Sequence, residues 1–263
     1  ISAGADVDSS QALQKAADFL VGQFTRMHFA AQKIQVSADT NPLVIARSPG
    51  FSNARPTVMI YGHYDVQGVD NPRTAWTVDP FAAEQRDGYM IARGASDNKG
   101  PTFAHIKAVE TMLQAGNRLP VDLLFVIEGE EECGSRALET FVQNGGLDEY
   151  APFLCTVISD TSMYGPDRPS LTLGLRGISY FEVSVRGPKQ DVHSGLFGGI
   201  VHNPNAVLVQ ALAGLYDTGG QIAVPGFYDD IEPLSAEEKR QYEALNASEP
   251  VSYTHLTLPT IAG

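Results

Sequence analysis

Cysteine is scarce in this chain: Cys133 and Cys155 are the only two in 263 residues. Two are too few for a disulfide scaffold and are compatible with a reducing, cytoplasmic setting. Long apolar runs are missing as well; none approaches the ~18 residues that would suggest a membrane span. Positive charge is in short supply, with 18 Lys and Arg against 31 Asp and Glu and a net charge of −13. That balance argues against a nucleic-acid or anionic-membrane partner. There are no internal repeats and no low-complexity tract. What remains is an ordinary globular composition, 43% hydrophobic and 19% charged, in a chain long enough to bury a substantial core in one or two domains.

Apolar periodicity organises the first two thirds. Leu13, Ala16, Ala17, Leu20, Val21 and Phe24 form a helical stripe over 9–24. Val36 and Leu43-Val-Ile45 suggest short strands, and a strong strand follows Arg55-Pro56 over about 57–62. Residues 68–82 read as a loop, and Asp87-Gly88 as a hairpin turn before Tyr89-Met-Ile91. Next come a helix from Gly100 to Gly116 and a continuous apolar strand, Val121 to Ile127, of the kind covered on both faces. Ser135 is placed to cap a further helix ended by Gly145-Gly146, and a strand follows over 153–159. Strand, helix, strand, helix, strand at this spacing is α/β with at least partly parallel pairing.

Near Arg176-Gly177 the pattern changes. Ile178 to Arg186 alternates apolar and polar, as in a sheet with one solvated face; helices follow over about 204–215 and 235–245, the latter with Ser235 and Glu238 as a capping box. The expected division is a catalytic domain over 1–177 and part of a second α+β domain over 178–250. Residues 251–263 continue no domain logic and look like sequencing-adapter read-through, so they are set apart as a candidate non-native tail and His255 carries no functional weight. The chain opens Ile1-Ser-Ala-Gly without an initiator Met or signal run, and is expected to begin inside a longer parent.

Several strands end in polar groups. Val58-Met-Ile-Tyr-Gly runs into His63-Tyr-Asp65; Asp97 lies in a Gly-bounded loop; Leu123 to Ile127 leads to Glu131 and Glu132; Thr156-Val-Ile-Ser precedes Asp160. In open α/β sheets the ligand crevice lies outside such strand ends. Carboxylates crowded together raise one another's pKa, and divalent cations remove that conflict. A mixed imidazole and carboxylate set suits zinc, with cobalt or manganese as alternatives. Residues two apart in an extended segment point the same way, so Asp65 can orient His63 from behind. Asp97 could bridge two metals, while one of Glu131 and Glu132 binds metal and the other takes a proton from water. Lys99 could be a charge neutraliser, and Cys133 reads better as a small packed side chain than as a ligand.

Six motifs then carry a resemblance: Tyr61-Gly-His-Tyr-Asp-Val-Gln67, Gly94-Ala-Ser-Asp-Asn-Lys-Gly100, Glu128-Gly-Glu-Glu-Glu-Cys-Gly-Ser135, Ile158-Ser-Asp160, Leu173-Gly-Leu-Arg-Gly177 and Val192-His-Ser-Gly-Leu-Phe-Gly-Gly199. In order and separation they resemble the M20 family of co-catalytic zinc peptidases, leaning toward its dipeptidase branch. The resemblance implies a three-layer zinc-exopeptidase-type α/β domain with a mostly parallel or mixed sheet, plus part of a ferredoxin-like dimerisation lid. It implies two divalent metals, zinc foremost, with His63, Asp97 and Asp160 on one and Asp97 and Glu132 on the second. Glu131 becomes the general base, Asp65 the orienter of His63, and His193 a lid histidine that helps hold the oxyanion or substrate. The family's downstream histidine for the second metal, and its late carboxylate-binding arginine and glycine, have no counterpart here. The expectation is therefore a piece of a dipeptidase, itself of little or no activity, from a parent that homodimerises and takes dipeptides or small N-acyl amino acids. An amino-acid deacylase or desuccinylase is the nearest rival, and a non-enzymatic metal-binding or binding module the rival of another class.

Overall fold

The computed structural model describes residues 7–52, 54–69, 76–163, 165, 169–172 and 174–246. The chain divides into two compact units, Ile1–Leu175 and Arg176–Gly263.

The first unit is built on a five-stranded mixed sheet. In chain order its strands are β1 (Ala30–Ile34), β2 (Leu43–Arg47), β3 (Thr57–His63), β6 (Asp122–Glu128) and β7 (Phe153–Ile158), and their spatial order is β1-β2-β6-β3-β7. β1, β2 and β6 pair antiparallel, whereas β6, β3 and β7 run parallel. The remaining strands, β4 (Glu84–Arg86) and β5 (Tyr89–Ile91), form a separate hairpin. Its turn is Asp87-Gly88, with φ of 52° and 82°, the doubly left-handed geometry that suits a two-residue connection.

Alternation along the central strands makes three layers. Val44 and Ala46 with Leu123, Phe125 and Ile127 face one side, where α1 (Val7–Arg26) and α2 (Lys99–Gln114) contribute Leu13, Ala17, Leu20, Phe24, Ile106 and Val109. Leu43, Ile45, Leu124 and Val126 face the other, against Ala137 of α3 (Arg136–Gln143) and Tyr150. All seven β6 residues are buried, as a central strand covered on both faces requires. Each fully buried large apolar side chain contributes roughly 1.5–3 kcal/mol of transfer free energy, so β6 is the strand that fixes the sheet.

Two local expectations are corrected. The first strand lies at Ala30–Ile34 and stops before Val36, where Gln35, Ser37 and Thr40 bond among themselves in a turn. Ser135 stands at the N-cap of α3 but its side chain makes no cap bond: its φ is 53°, and its hydroxyl donates to Glu128 Oε1 at 2.8 Å.

The second unit holds α4 (Ser194–Phe197), α5 (Pro204–Ala213) and α6 (Ala236–Asn246). The capping box forms as expected, with Glu238 N donating to Ser235 Oγ at 3.2 Å and Ser235 N to Glu238 Oε2 at 2.8 Å. Ile178 to Arg186 belongs to no strand, and Tyr180 and Phe181 are each 87% exposed. A strand exists only through its ladder partners, and among the described residues none pairs with this segment. No helix among the described residues is long and apolar enough to cross a membrane.

Candidate metal centre

Parallel register brings the strand ends level. His63 of β3 pairs with Glu128 of β6, and Tyr61 pairs with Ile158 of β7, two residues before Asp160. Asp97 arrives from the loop after the hairpin, just before α2. Gly62 lets the first turn of α2 approach β3, because a Cβ there would lie 2.1 Å from Thr102 Oγ1. The residues expected at the site in the first unit are thus gathered at one sheet edge.

His63 is the hub, with no side-chain exposure. Its Nδ1 lies 3.2 Å from Asp65 Oδ1, while Nε2 lies 3.0 Å from Asp97 Oδ1, 3.5 Å from Asp160 Oδ2 and 3.8 Å from Glu131 Oε2. Asp65, also buried, accepts the backbone N–H of Glu131 at 3.3 Å and of Glu132 at 3.1 Å. One carboxylate therefore couples the imidazole to the turn that carries both glutamates. Gln67 Nε2 donates to Glu132 Oε2 at 2.9 Å, steadying the outer acid.

Two donor clusters result, His63–Asp97–Asp160 and His63–Glu131–Glu132, each with its ligand atoms within 4.8 Å of one another. Among the described residues no other histidine joins either set, so the second is incomplete beyond its shared imidazole and two acids. Glu131 groups with Glu132 here, whereas the sequence reading gives that set Asp97 and Glu132.

The donor chemistry fits divalent metal. Both nitrogens of His63 face carboxylates, so the ring must carry either two protons or one proton and a cation. Burial alone would lower its pKa; the hydrogen bond and charge of Asp65, then Asp160 and Glu131, outweigh this and push it up to about 9. Burial raises the pKa of Glu131, the His63 charge opposes that, and Glu132, Asp160 and Asp65 add to the rise. Among the described residues no lysine or arginine pairs with Asp97, Glu131, Glu132 or Asp160. Such an acid cluster, short of fixed cations, is relieved by zinc or a similar ion.

Sequence reasoning gives no role to Asn98 or Gln67, although both stand inside the quoted motifs. Asn98 is buried and bonded to His63 N, Ser159 O and Asp160 Oδ1. Below the site Glu128 Oε1 accepts from Tyr61 and Ser135. Lys99 forms no ion pair with the acids among the described residues; it lines a cavity of about 830 Å³ with Phe19, Met90, Phe103 and one side of His63. His193 belongs to the second unit, where Nδ1 accepts the N–H of Gly195 at 3.0 Å and caps α4. His255 lies outside the described residues.

A mixed α/β sheet at whose edge His63 and the carboxylates of Asp97, Glu131, Glu132 and Asp160 form two candidate metal-binding clusters defines an α/β protein with a candidate metal centre. The chain belongs to peptidase family M20/M25/M40, whose pattern matches residues 59–255. It is 43% identical over 205 residues to the human Beta-Ala-His dipeptidase, covering 78% of this chain and 40% of that protein. It is 36% identical to the Cys-Gly metallodipeptidase of Schizosaccharomyces pombe, covering 93% and 53%. The crystal structure of human carnosine dipeptidase 1 superposes with a TM-score of 0.68 at 37% identity, covering 92% of this chain and 52% of that one. The chain thus spans about half the length of the proteins it matches.

Proposed function

We propose that this chain carries the metal-binding half of a dipeptidase centre that hydrolyses the amide bond of dipeptides or small peptides. The observation that carries the reading is the double-sided environment of His63, with Asp65 on Nδ1 and three carboxylates toward Nε2. His63, Asp97 and Asp160 would hold one divalent ion, and Asp97 and Glu132 the second. Zinc, or manganese or cobalt in its place, would polarise the scissile carbonyl and make water nucleophilic near neutral pH.

The residues of the chain do the rest. Asp65 accepts the Nδ1–H of His63 and so keeps the Nε2 lone pair free to ligate. Glu131, whose pKa burial raises, takes a proton from the attacking water as the C–O bond forms. It returns that proton to the departing amine as the C–N bond breaks. His193 helps hold the developing oxyanion, contributed by the second unit of the other copy in a homodimer. The finer choice between a dipeptidase and an N-acyl-amino-acid deacylase rests on the names of the relatives, both dipeptidases.

A substrate panel tests this. A full-length protein carrying these residues, loaded with zinc, is expected to release amino acids from β-Ala-His, Cys-Gly and related dipeptides, and to stop when a chelator is added. Release confined to N-acetyl or N-succinyl amino acids would move the assignment to the deacylase reading. No chelator-sensitive release from either class would leave a binding protein.

A further inference from the structure

Resting on the metal-centre reading above, we infer that Asn98 is a positioning residue that selects which oxygen of Asp160 faces the metal. Asn98 stands at the N-cap of α2, where an asparagine ordinarily accepts a backbone N–H of its own helix. Here it makes no such bond. The amide is turned inward instead, 1% exposed, and every hydrogen-bonding position on it is used. Nδ2 donates to Ser159 O at 2.7 Å and to Asp160 Oδ1 at 3.1 Å; Oδ1 accepts from His63 N at 3.3 Å and from the Thr102 hydroxyl.

These bonds join three chain segments that converge only in the folded state: the end of β3, the first turn of α2 and the end of β7. They also divide the labour within one carboxylate. Oδ1 of Asp160 is held by the amide, which leaves Oδ2, 3.5 Å from His63 Nε2, as the oxygen turned toward the cluster. Held in this way, Asp160 would offer an ion one oxygen rather than two. Ser159 has a second anchor, since its hydroxyl lies 2.7 Å from His105 Nε2. The strand end therefore does not depend on Asn98 alone, and loss of the amide frees the Asp160 side chain before it frees the backbone.

The test is Co²⁺ titration of the full chain, read by chelator competition and by the visible d–d absorption band, with far-UV circular dichroism and the melting temperature of the metal-free protein alongside. Asn98→Asp has the same shape but replaces donors with acceptors facing Ser159 O and Asp160, and is expected to weaken Co²⁺ by about 100-fold. Asn98→Ala is expected to cost about tenfold, within the range for partners that orient a ligand. It should also shift and weaken the band as both Asp160 oxygens become available. Thr102→Val, which removes only the hydroxyl that locks the amide, should give a smaller change in the same direction. If Asn98→Asp fails to fold, the other two variants decide the matter. Unchanged affinity and band in Asn98→Ala and Thr102→Val would overturn the inference, as would losses that follow the melting temperature with the band unmoved. A wild-type chain that binds no Co²⁺ would overturn the metal-centre reading itself, and this inference with it.

Discussion

Glu131→Gln in a full-length protein carrying these residues is expected to lower dipeptide hydrolysis by roughly 10²–10⁴-fold, the usual contribution of a positioned acid–base group, while zinc content stays unchanged. The substitution is close to isosteric and removes only the ability to take up a proton. The geometry makes this outcome discriminating, because Glu131 lies in the same donor cluster as Glu132 and His63, with Oε2 3.8 Å from Nε2. A residue in that place could serve as ligand or as base. Elemental analysis and hydrolysis rate, measured on one preparation, separate the two roles. Rate lost with metal kept supports the base; metal lost together with rate makes Glu131 a ligand and sends the search for the base elsewhere.

The second large effect concerns His63, the one side chain shared by both donor clusters. In the metal-free protein its pKa is raised to about 9 by Asp65, Asp160 and Glu131 against the opposing effect of burial. A group whose folded pKa exceeds its unfolded value stabilises the fold fully below the unfolded pKa, near 6.5 for histidine, and that stabilisation fades as pH rises through about 9. A metal entering at Nε2 must displace the same proton. Apparent zinc affinity is therefore expected to rise about tenfold per pH unit from pH 6.5 to about 9 and to level off above. His63→Gln, which keeps much of the volume and can still donate to Asp65, should lose more than the roughly 10–100-fold that an outer partner costs, and should flatten this slope. Competition titrations at several pH values measure both. A slope that survives in His63→Gln would assign the displaced proton to another group.

Much of the architecture is legible in the residues because it is local. The apolar run of β6, the stripe of α1 and the Asp87-Gly88 turn each declare themselves within a few positions, and the polar residues that end β3 and precede α2 mark the site edge. What cannot be read this way depends on contacts distant in sequence. Ser135 looks like a helix cap, yet its hydroxyl is captured by Glu128, whose position is set by the β3–β6 register. Asn98 looks like a capping or loop residue, and only the folded chain reveals partners ranging from His63 to Asp160. The clean alternation of Ile178 to Arg186 signals a willing strand, but alternation supplies a face and no ladder.

The central claim is that His63 and the carboxylates at this sheet edge hold metal. A crystal of the zinc-loaded chain, measured on both sides of the zinc absorption edge, tests it most directly. The expected result is an anomalous peak at His63 Nε2, within about 2.0–2.2 Å of that nitrogen and of oxygens from Asp97 and Asp160. Zinc bound at other residues, with Nε2 of His63 left in contact with carboxylates alone, would contradict it.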